Sequence, residues 1–438
     1  MLMRDRFTRL KVVEDRRIAL DLPITLDGAH LVQPWSALDL LFRKPSVSLL
    51  IAGPGGSGKT TLACRIGCRA LGEEGTPLGG IFCLPLLIDR DLEISETGDG
   101  FLPFLTGALR AMVGIPRLSS RLAEMLLRSG RVLVIVDGLS ERNEATRRAF
   151  DPTRPGFPIM RLIVTSRDTE HERMSAVIET LAIPRDALYS FISRYIEEAT
   201  ARKEIETPLA SEKESPSVAD IYDACAQLKR LLRDKPTTPL FAAMWVEEVM
   251  RSGGAAAERI WNVAELIDSY VERLLTPAAG GNAVHLDNLR LDLVAIASRE
   301  LGDGLSPSWL TRTHVLDALR ERLADGPEKR IDILLDSRLI ESDSRNSELI
   351  RVALDPIAEH LVARSRVESI AGDARKWRSF LDLLKRRGSP TGVVEAVRAC
   401  LEARGYGHKA HPVPDAVLQR LFDASHYDQA ASKLSSGP

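Results

Sequence analysis

Along this chain, short runs of consecutive apolar residues alternate with stretches in which apolar positions recur every three or four residues. The runs fall at 46–52, 81–88, 131–137, 161–165 and 179–183. Continuous apolar runs of this length predict strands buried on both faces, and the periodic stretches between them predict helices. Strands alternating with helices predict an α/β unit, a parallel sheet with helices on both faces. The run at 81–88 contains Pro85, which demotes it from a central strand or places Pro85 at its start. Ahead of the first run, Leu22–Leu26 reads as an extended piece and Trp35–Phe42 as a short amphipathic helix.

Beyond residue 185 the pattern becomes helical. Tyr189–Glu198, Ile221–Leu232, Ala242–Arg251 and Ile260–Leu275 carry helical periodicity. The intervening 201–218, rich in Glu, Ser and Pro, predicts a mobile surface insertion. Ser252-Gly253-Gly254 predicts a helix stop, and Pro277–Asn282 a boundary. Leu286, Leu289, Leu293 and Ile296 then repeat at helical spacing, as do Leu316, Leu319 and Leu323, and a third helix is predicted over 328–337. Leu339-Ile340 and Leu349–Leu354 flank the polar turn Asp343–Ser347, a hairpin signature. Three helices followed by a hairpin is the winged-helix order. The expected organisation is a lead-in at 1–45, an α/β domain at 46–184, and a helical domain at 185–280 containing the 201–218 insertion. A winged-helix-like domain at 285–365 and a short helical C-terminal region at 366–438 complete it.

Composition narrows the classes. Apolar residues make up 44%, enough for a substantial core. The formal charge of −2 gives no global footprint for nucleic acid or a membrane surface. No apolar run approaches the roughly 20 residues of a membrane span, and the early charges Arg4, Asp5 and Arg6 argue against a signal peptide. The five cysteines are scattered; Cys64 and Cys68 read as small core residues, and His408 and His411 share a Gly/Pro-rich stretch without ligand spacing. A reducing, cytoplasmic setting is the expectation.

Candidate chemistry concentrates after the first run. Gly53-Pro54-Gly55-Gly56-Ser57-Gly58-Lys59-Thr60 fits G-x-x-x-x-G-K-[ST] without a mismatch, between a buried strand and a helix beginning at Thr61. Glycines let backbone N–H groups crowd around phosphate oxygens, and the helix N-terminus adds partial positive charge. In this reading Gly53 to Thr61 bind nucleotide, Lys59 reaches the β/γ-phosphates and Thr60 offers its hydroxyl to Mg²⁺. The run at 131–136 ends in Asp137, a second Mg²⁺ residue, and Glu141 four positions on orients or deprotonates the attacking water. The run at 161–164 ends in Thr165-Ser166-Arg167, where Thr165 would bind nucleotide and Arg167 would sense the γ-phosphate.

With those residues in place, the chain resembles the STAND class of P-loop NTPases and, within it, the NACHT family. The family's D-G-h-D-E stands here as Asp137-Gly138-Leu139-Ser140-Glu141, and its T-S-R as Thr165-Ser166-Arg167. Pro239 looks like the family's proline that packs on adenine, and Asn262–Tyr270 fits the same helical region. Asp355–Ala363 resembles the winged-helix ending. Ser140 departs from the second acidic residue, and Asp355 stands where the family places a histidine on the ADP β-phosphate. The resemblance covers about 45–365. It implies an ATP/ADP switch with Mg²⁺ and slow hydrolysis, self-assembly when active, and sensor and effector proteins that the sequence does not name. ATP over GTP is not decided by any base-reading motif.

Two other classes remain open at this point. An AAA+-like ATPase working on nucleic acid or protein would need an arginine finger, for which Arg142, Arg147 and Arg148 are candidates. A winged-helix DNA-binding regulator would read through 311–330. That segment carries five Lys/Arg against four Asp/Glu, unlike a basic groove-reading helix. Residues 364–404 are more basic, ten against five, which a solvated helix face explains.

Overall fold

A computed structural model of the chain describes residues 24–31, 34–72, 76–89, 91–92, 100–167, 174–201, 218–232, 237–252, 262–305, 307–322, 326–342, 347–370, 373–387 and 391–403, with 260, 417 and 421. These fall into two compact units. The first takes residues up to 201 with 218–225 and 237–243; the second takes 226–232 and the chain from 244 onward. The expected insertion at 201–218 and the pair His408 and His411 lie essentially outside the described residues.

The first unit begins with the hairpin β1 (Ile24–Leu26) and β2 (Ala29–Leu31), then α1 (Trp35–Phe42), β3 (Val47–Ala52) and α2 (Lys59–Ala70). It continues with β4 (Leu84–Ile88), α3 (Phe101–Val113), α4 (Ser120–Arg128), β5 (Val132–Val136), α5 (Glu144–Ala149), β6 (Arg161–Ser166) and β7 (Ala176–Thr180). The helix α6 (Leu188–Ala201) follows. The seven strands form one sheet in the order β2-β1-β7-β3-β6-β5-β4. β7, β3, β6, β5 and β4 run parallel; β1 and β2 add an antiparallel edge.

The period-2 pleat sorts the core strands into two layers. Leu50, Ala52, Val134, Val136, Leu162 and Val164 face α3, α4 and α5. Val47, Leu49, Ile51, Ile135 and Ile163 face α1 and α2 on the other side. Every residue of β3, β5 and β6 is buried, which is why they read as unbroken apolar runs. β4 is the edge strand, with Pro85 as its second residue, where a missing N–H is tolerated.

One expectation needs correction. The last parallel strand occupies Ala176–Thr180, three residues before the predicted run. Its alternating burial admits Glu179 on an exposed position, so it lacks the continuous apolar signature, and Ile183 instead makes an antiparallel bridge to Thr237. The sheet is mostly parallel, as expected, and β1 of the expected lead-in adds an antiparallel pairing with β7. Gly326, at φ +81°, caps the helix that begins at Pro327.

Later helices are α7 (Val218–Leu231) and α8 (Pro239–Ser252). The second unit contains α9 (Val263–Ala279), α10 (Ala283–Leu301), β8 (Leu310–Thr311), α11 (Arg312–Arg320), α12 (Pro327–Asp336), β9 (Ile340–Ser342) and β10 (Leu349–Val352). It closes with α13 (Asp355–Ile370), α14 (Ala374–Arg386) and α15 (Thr391–Ala403). Gly280 ends α9 in the left-handed conformation, and Asn282 caps α10 through His285 N–H, so the Pro/Gly stretch makes a tight helix–helix turn. β8, β10 and β9 form a three-stranded antiparallel sheet. Leu289, Leu293, Ile296, Val315, Leu319, Ile331 and Ile350 are buried in this unit.

Candidate functional site

The phosphate loop spans the end of β3 and the start of α2. Gly58 sits at φ +89° as the N-cap of α2 and makes no side-chain cap, in contrast to Ser119, Asn143, Asn262 and Asn282, which cap their helices. The helix dipole and the absence of acidic residues in the first turn of α2 favour an anion at this end. Gly56 has φ +72°, and a Cβ there would lie 2.8 Å from Leu240 Cβ. The Lys59 ammonium donates to Gly53 O at 2.7 Å and Pro54 O at 2.8 Å, so it stands over the loop.

The sheet order explains how distant residues meet. β6 lies between β3 and β5, so its C-terminal end separates the phosphate loop from Asp137. Thr165, on β6, fills that gap. Its hydroxyl donates to Asp137 Oδ1 at 2.6 Å and accepts the Gly138 N–H at 2.7 Å. Thr60 also donates to Asp137 Oδ1, at 2.8 Å. Two hydroxyls thus converge on one carboxylate oxygen, while Oδ2 takes no hydrogen bond among the described residues. Hard oxygen donors of this kind suit Mg²⁺. Among the described residues, no group of three His, Cys, Asp or Glu side chains gathers to hold a metal alone. The Asp137 carboxylate and the Thr60 hydroxyl would hold such a cation at this end of the sheet.

The other predicted residues are placed as follows. Glu141 ends the turn Leu139–Glu141, and its side chain lies outside what the structure describes. The Arg167 N–H donates to Ser140 Oγ at 3.1 Å, so Ser140, the departure from the family pattern, ties the turn after β5 to the end of β6. Thr61 is half-buried in the first turn of α2. Pro239 starts α8, whose next residue donates its N–H to Gly56 O at 3.2 Å. Arg142, a candidate finger on sequence grounds, is buried; its guanidinium donates to Asp137 O at 2.9 and 3.2 Å. These bonds tie Arg142 to the end of β5. Arg148 pairs on the surface with Glu144 of its own helix. Asp355 stands in the first turn of α13 in the second unit.

Sequence reading missed the contacts that brace the loop from outside the motif. Thr180 and Ser57 bring their hydroxyls to 2.6 Å, and Leu240 lies against Gly56. No local signal marks them, because their partners lie more than a hundred residues away.

No helix among the described residues is long and apolar enough to cross a membrane. No family model matches the chain, and no curated protein matches it. Among solved structures, the chain is similar to a Walker-type ATPase of Pyrococcus abyssi at 14% identity, covering 75% of this chain and 94% of that one, with a TM-score of 0.29. It is similar to a RuvB variant of Thermotoga maritima at 14% identity, covering 79% and 95%, with a TM-score of 0.32. The ORC2 protein of Aeropyrum pernix matches at 15% identity, covering 76% and 95%, with a TM-score of 0.31. These likenesses are loose. By its own strand order and loop, the chain has an α/β P-loop fold with a mostly parallel sheet, followed by helical elements.

Proposed function

We propose that this chain is an ATP/ADP-binding molecular switch of the STAND, NACHT-like type. It hydrolyses ATP slowly, acts in the cytoplasm, and signals by assembling with copies of itself. The observation that carries the reading is the convergence of Thr60 and Thr165 on Asp137 Oδ1 beside an uncapped helix N-terminus. Oxygen donors placed there would suit Mg²⁺ next to a bound phosphate. Gly53 to Thr61 would cradle the phosphates, with Lys59 as their counter-charge. Bound Mg²⁺ would supply charge neutralisation at the β- and γ-oxygens. Asp137 and Thr60 would hold it, Arg167 would meet the γ-phosphate, Glu141 would position water, and Pro239 would lie beside the base.

The burial of Arg142 against Asp137 O favours a switch over a fast motor, since it withdraws one of the three candidate fingers from trans action. The order α10-β8-α11-α12-β9-β10 supports a winged-helix reading of that region, which we assign to the switch rather than to DNA. Its segment 311–330 has nearly balanced charge.

The test is nucleotide content and calorimetry. The purified chain is expected to retain ADP and to bind both ATP and ADP with Mg²⁺. Lys59→Ala is expected to lose retention while keeping its thermal unfolding cooperative, and Glu141→Gln to bind but turn over more slowly. No heat with either nucleotide at saturation, or full retention by Lys59→Ala, would refute the reading.

A further inference from the structure

We infer that Thr180, the last residue of β7, sets the shape of the phosphate loop and acts as a positioning residue for nucleotide. This rests on the nucleotide-site reading above. Thr180 is 7% exposed, and its hydroxyl donates to Ala52 O at 3.1 Å. A hydroxyl has one hydrogen to give. The 2.6 Å contact with Ser57 Oγ must therefore be donated by Ser57. The result is a directed relay: Ser57 Oγ–H to Thr180 Oγ1, then Thr180 Oγ1–H to Ala52 O. It joins the middle of the loop to the last residue of the strand that launches it.

Two further observations show that the relay is built in. Ser57 is fully buried, so its side chain is committed to the protein and does not line the phosphate side. Gly53, at φ +152°, lies so close that a Cβ there would stand 2.1 Å from Thr180 Oγ1 and 3.3 Å from Thr180 O. Thr180 thus touches both ends of the tight turn, at Gly53 and at Ser57. Its own position is fixed from two sides. β7 pairs in parallel with β3 up to Ala52↔Glu179, and β1 pairs with it at Ile24↔Thr180. β7 therefore extends one residue past its neighbour, far enough to reach the loop. The antiparallel hairpin at the sheet edge covers that residue.

Loop shape matters because a phosphate is bound by several backbone N–H groups at once, and all must point to one centre. Thr180→Val keeps the β-branched outline and removes both hydrogen-bonding functions. It leaves Ser57 Oγ–H and Ala52 O buried without this partner.

The experiment measures binding of a fluorescent ATP analogue with Mg²⁺ to the full chain, with thermal unfolding in parallel. Wild type binds. Thr180→Val is expected to bind about ten- to hundredfold more weakly. Thr180→Ser, which retains the relay, is expected to come within about threefold of wild type, a rescue that a purely steric role for the methyl group would not give. Ser57→Ala keeps the Thr180 bond to Ala52 and is expected to lose about three- to tenfold. It decides the matter if Thr180→Val does not fold. Wild-type affinity in Thr180→Val or in Ser57→Ala would overturn the inference, as would a Thr180→Ser variant as weak as Thr180→Val. A wild-type chain that binds no nucleotide would overturn the site itself and this inference with it.

Discussion

Asp268 in α9 gathers charges from two other helices. His360 Nε2 donates to its Oδ1 at 3.0 Å, Arg364 approaches Oδ2 at 2.5 Å, and Arg290 lies 3.6 Å from Oδ1. The other imidazole nitrogen, Nδ1, faces Cys400 Sγ at 3.8 Å. Burial pushes the Asp268 carboxyl up, but the His360 hydrogen bond and the His360 and Arg364 charges outweigh it and hold the carboxyl at about 2. Glu300 shows the opposite balance. Burial dominates there, and the Val352 N–H it accepts at 2.7 Å does not prevent a strong upward shift. For Asp268 the folded pKa is the lower one, so its contribution to stability is present above about pH 4 and is lost as pH falls toward 2. The shift corresponds to about 2 kcal/mol. Denaturant unfolding at pH 7 and pH 3 is expected to show a shallower acid loss in Asp268→Asn than in wild type, from a lower starting stability at pH 7. Parallel acid profiles for the two proteins would exclude Asp268 as a contributor.

At the scale of elements, the strand–loop–helix of the phosphate site was legible because its information is local. Glycines, lysine and threonine recur at fixed offsets, and β3, β5 and β6 are buried on both faces, so their composition announces them. β7 was misplaced because one position of its outer half faces solvent and admits Glu179. The β1–β2 hairpin could be read as extended, but its place in the sheet could not, since pairing with β7 joins Leu26 to Ile178 across the whole unit. The same holds for the site. Lys59, Thr60 and Asp137 follow from motif spacing, whereas Thr180, Arg142 and Leu240 acquire their roles only when the sheet order and the start of α8 bring them to the loop. Gly56 tests that last contact. It combines φ +72° with a Cβ position 2.8 Å from Leu240 Cβ and 3.0 Å from Leu240 Cδ2. Gly56→Ala is expected to cost about 1–2 kcal/mol for the left-handed conformation alone, plus the displacement of Leu240. Thermal unfolding and nucleotide binding should both report it. A variant as stable and as competent as wild type would show that the start of α8 does not brace the loop.

At the scale of the whole molecule, a nucleotide-operated switch makes a demand that a nucleotide-binding domain alone does not. The terminal phosphate must bias two global states, and it does so only by interacting differently with each. The residues proposed to meet the terminal phosphate and its metal are all in the first unit: Thr60, Asp137, Thr165 and Arg167. The second unit carries its own ion pairs, Asp292 with Arg322 and Arg330 and Asp268 with His360 and Arg364. Separating a buried carboxylate such as Asp292 from its partners is costly. Coupling free energies between sites typically amount to 1–3 kcal/mol, about 5- to 150-fold in an equilibrium constant. Amide hydrogen exchange reads effects of that size. Replacing ADP by a non-hydrolysable ATP analogue is therefore expected to change protection in 263–370 of the second unit as well as around the loop and β5–β7. The change in the second unit should vanish in Lys59→Ala. A response confined to 47–180 would leave an ordinary nucleotide-binding domain with helical neighbours that do not register the phosphate, and the switch would have to be abandoned even with binding intact.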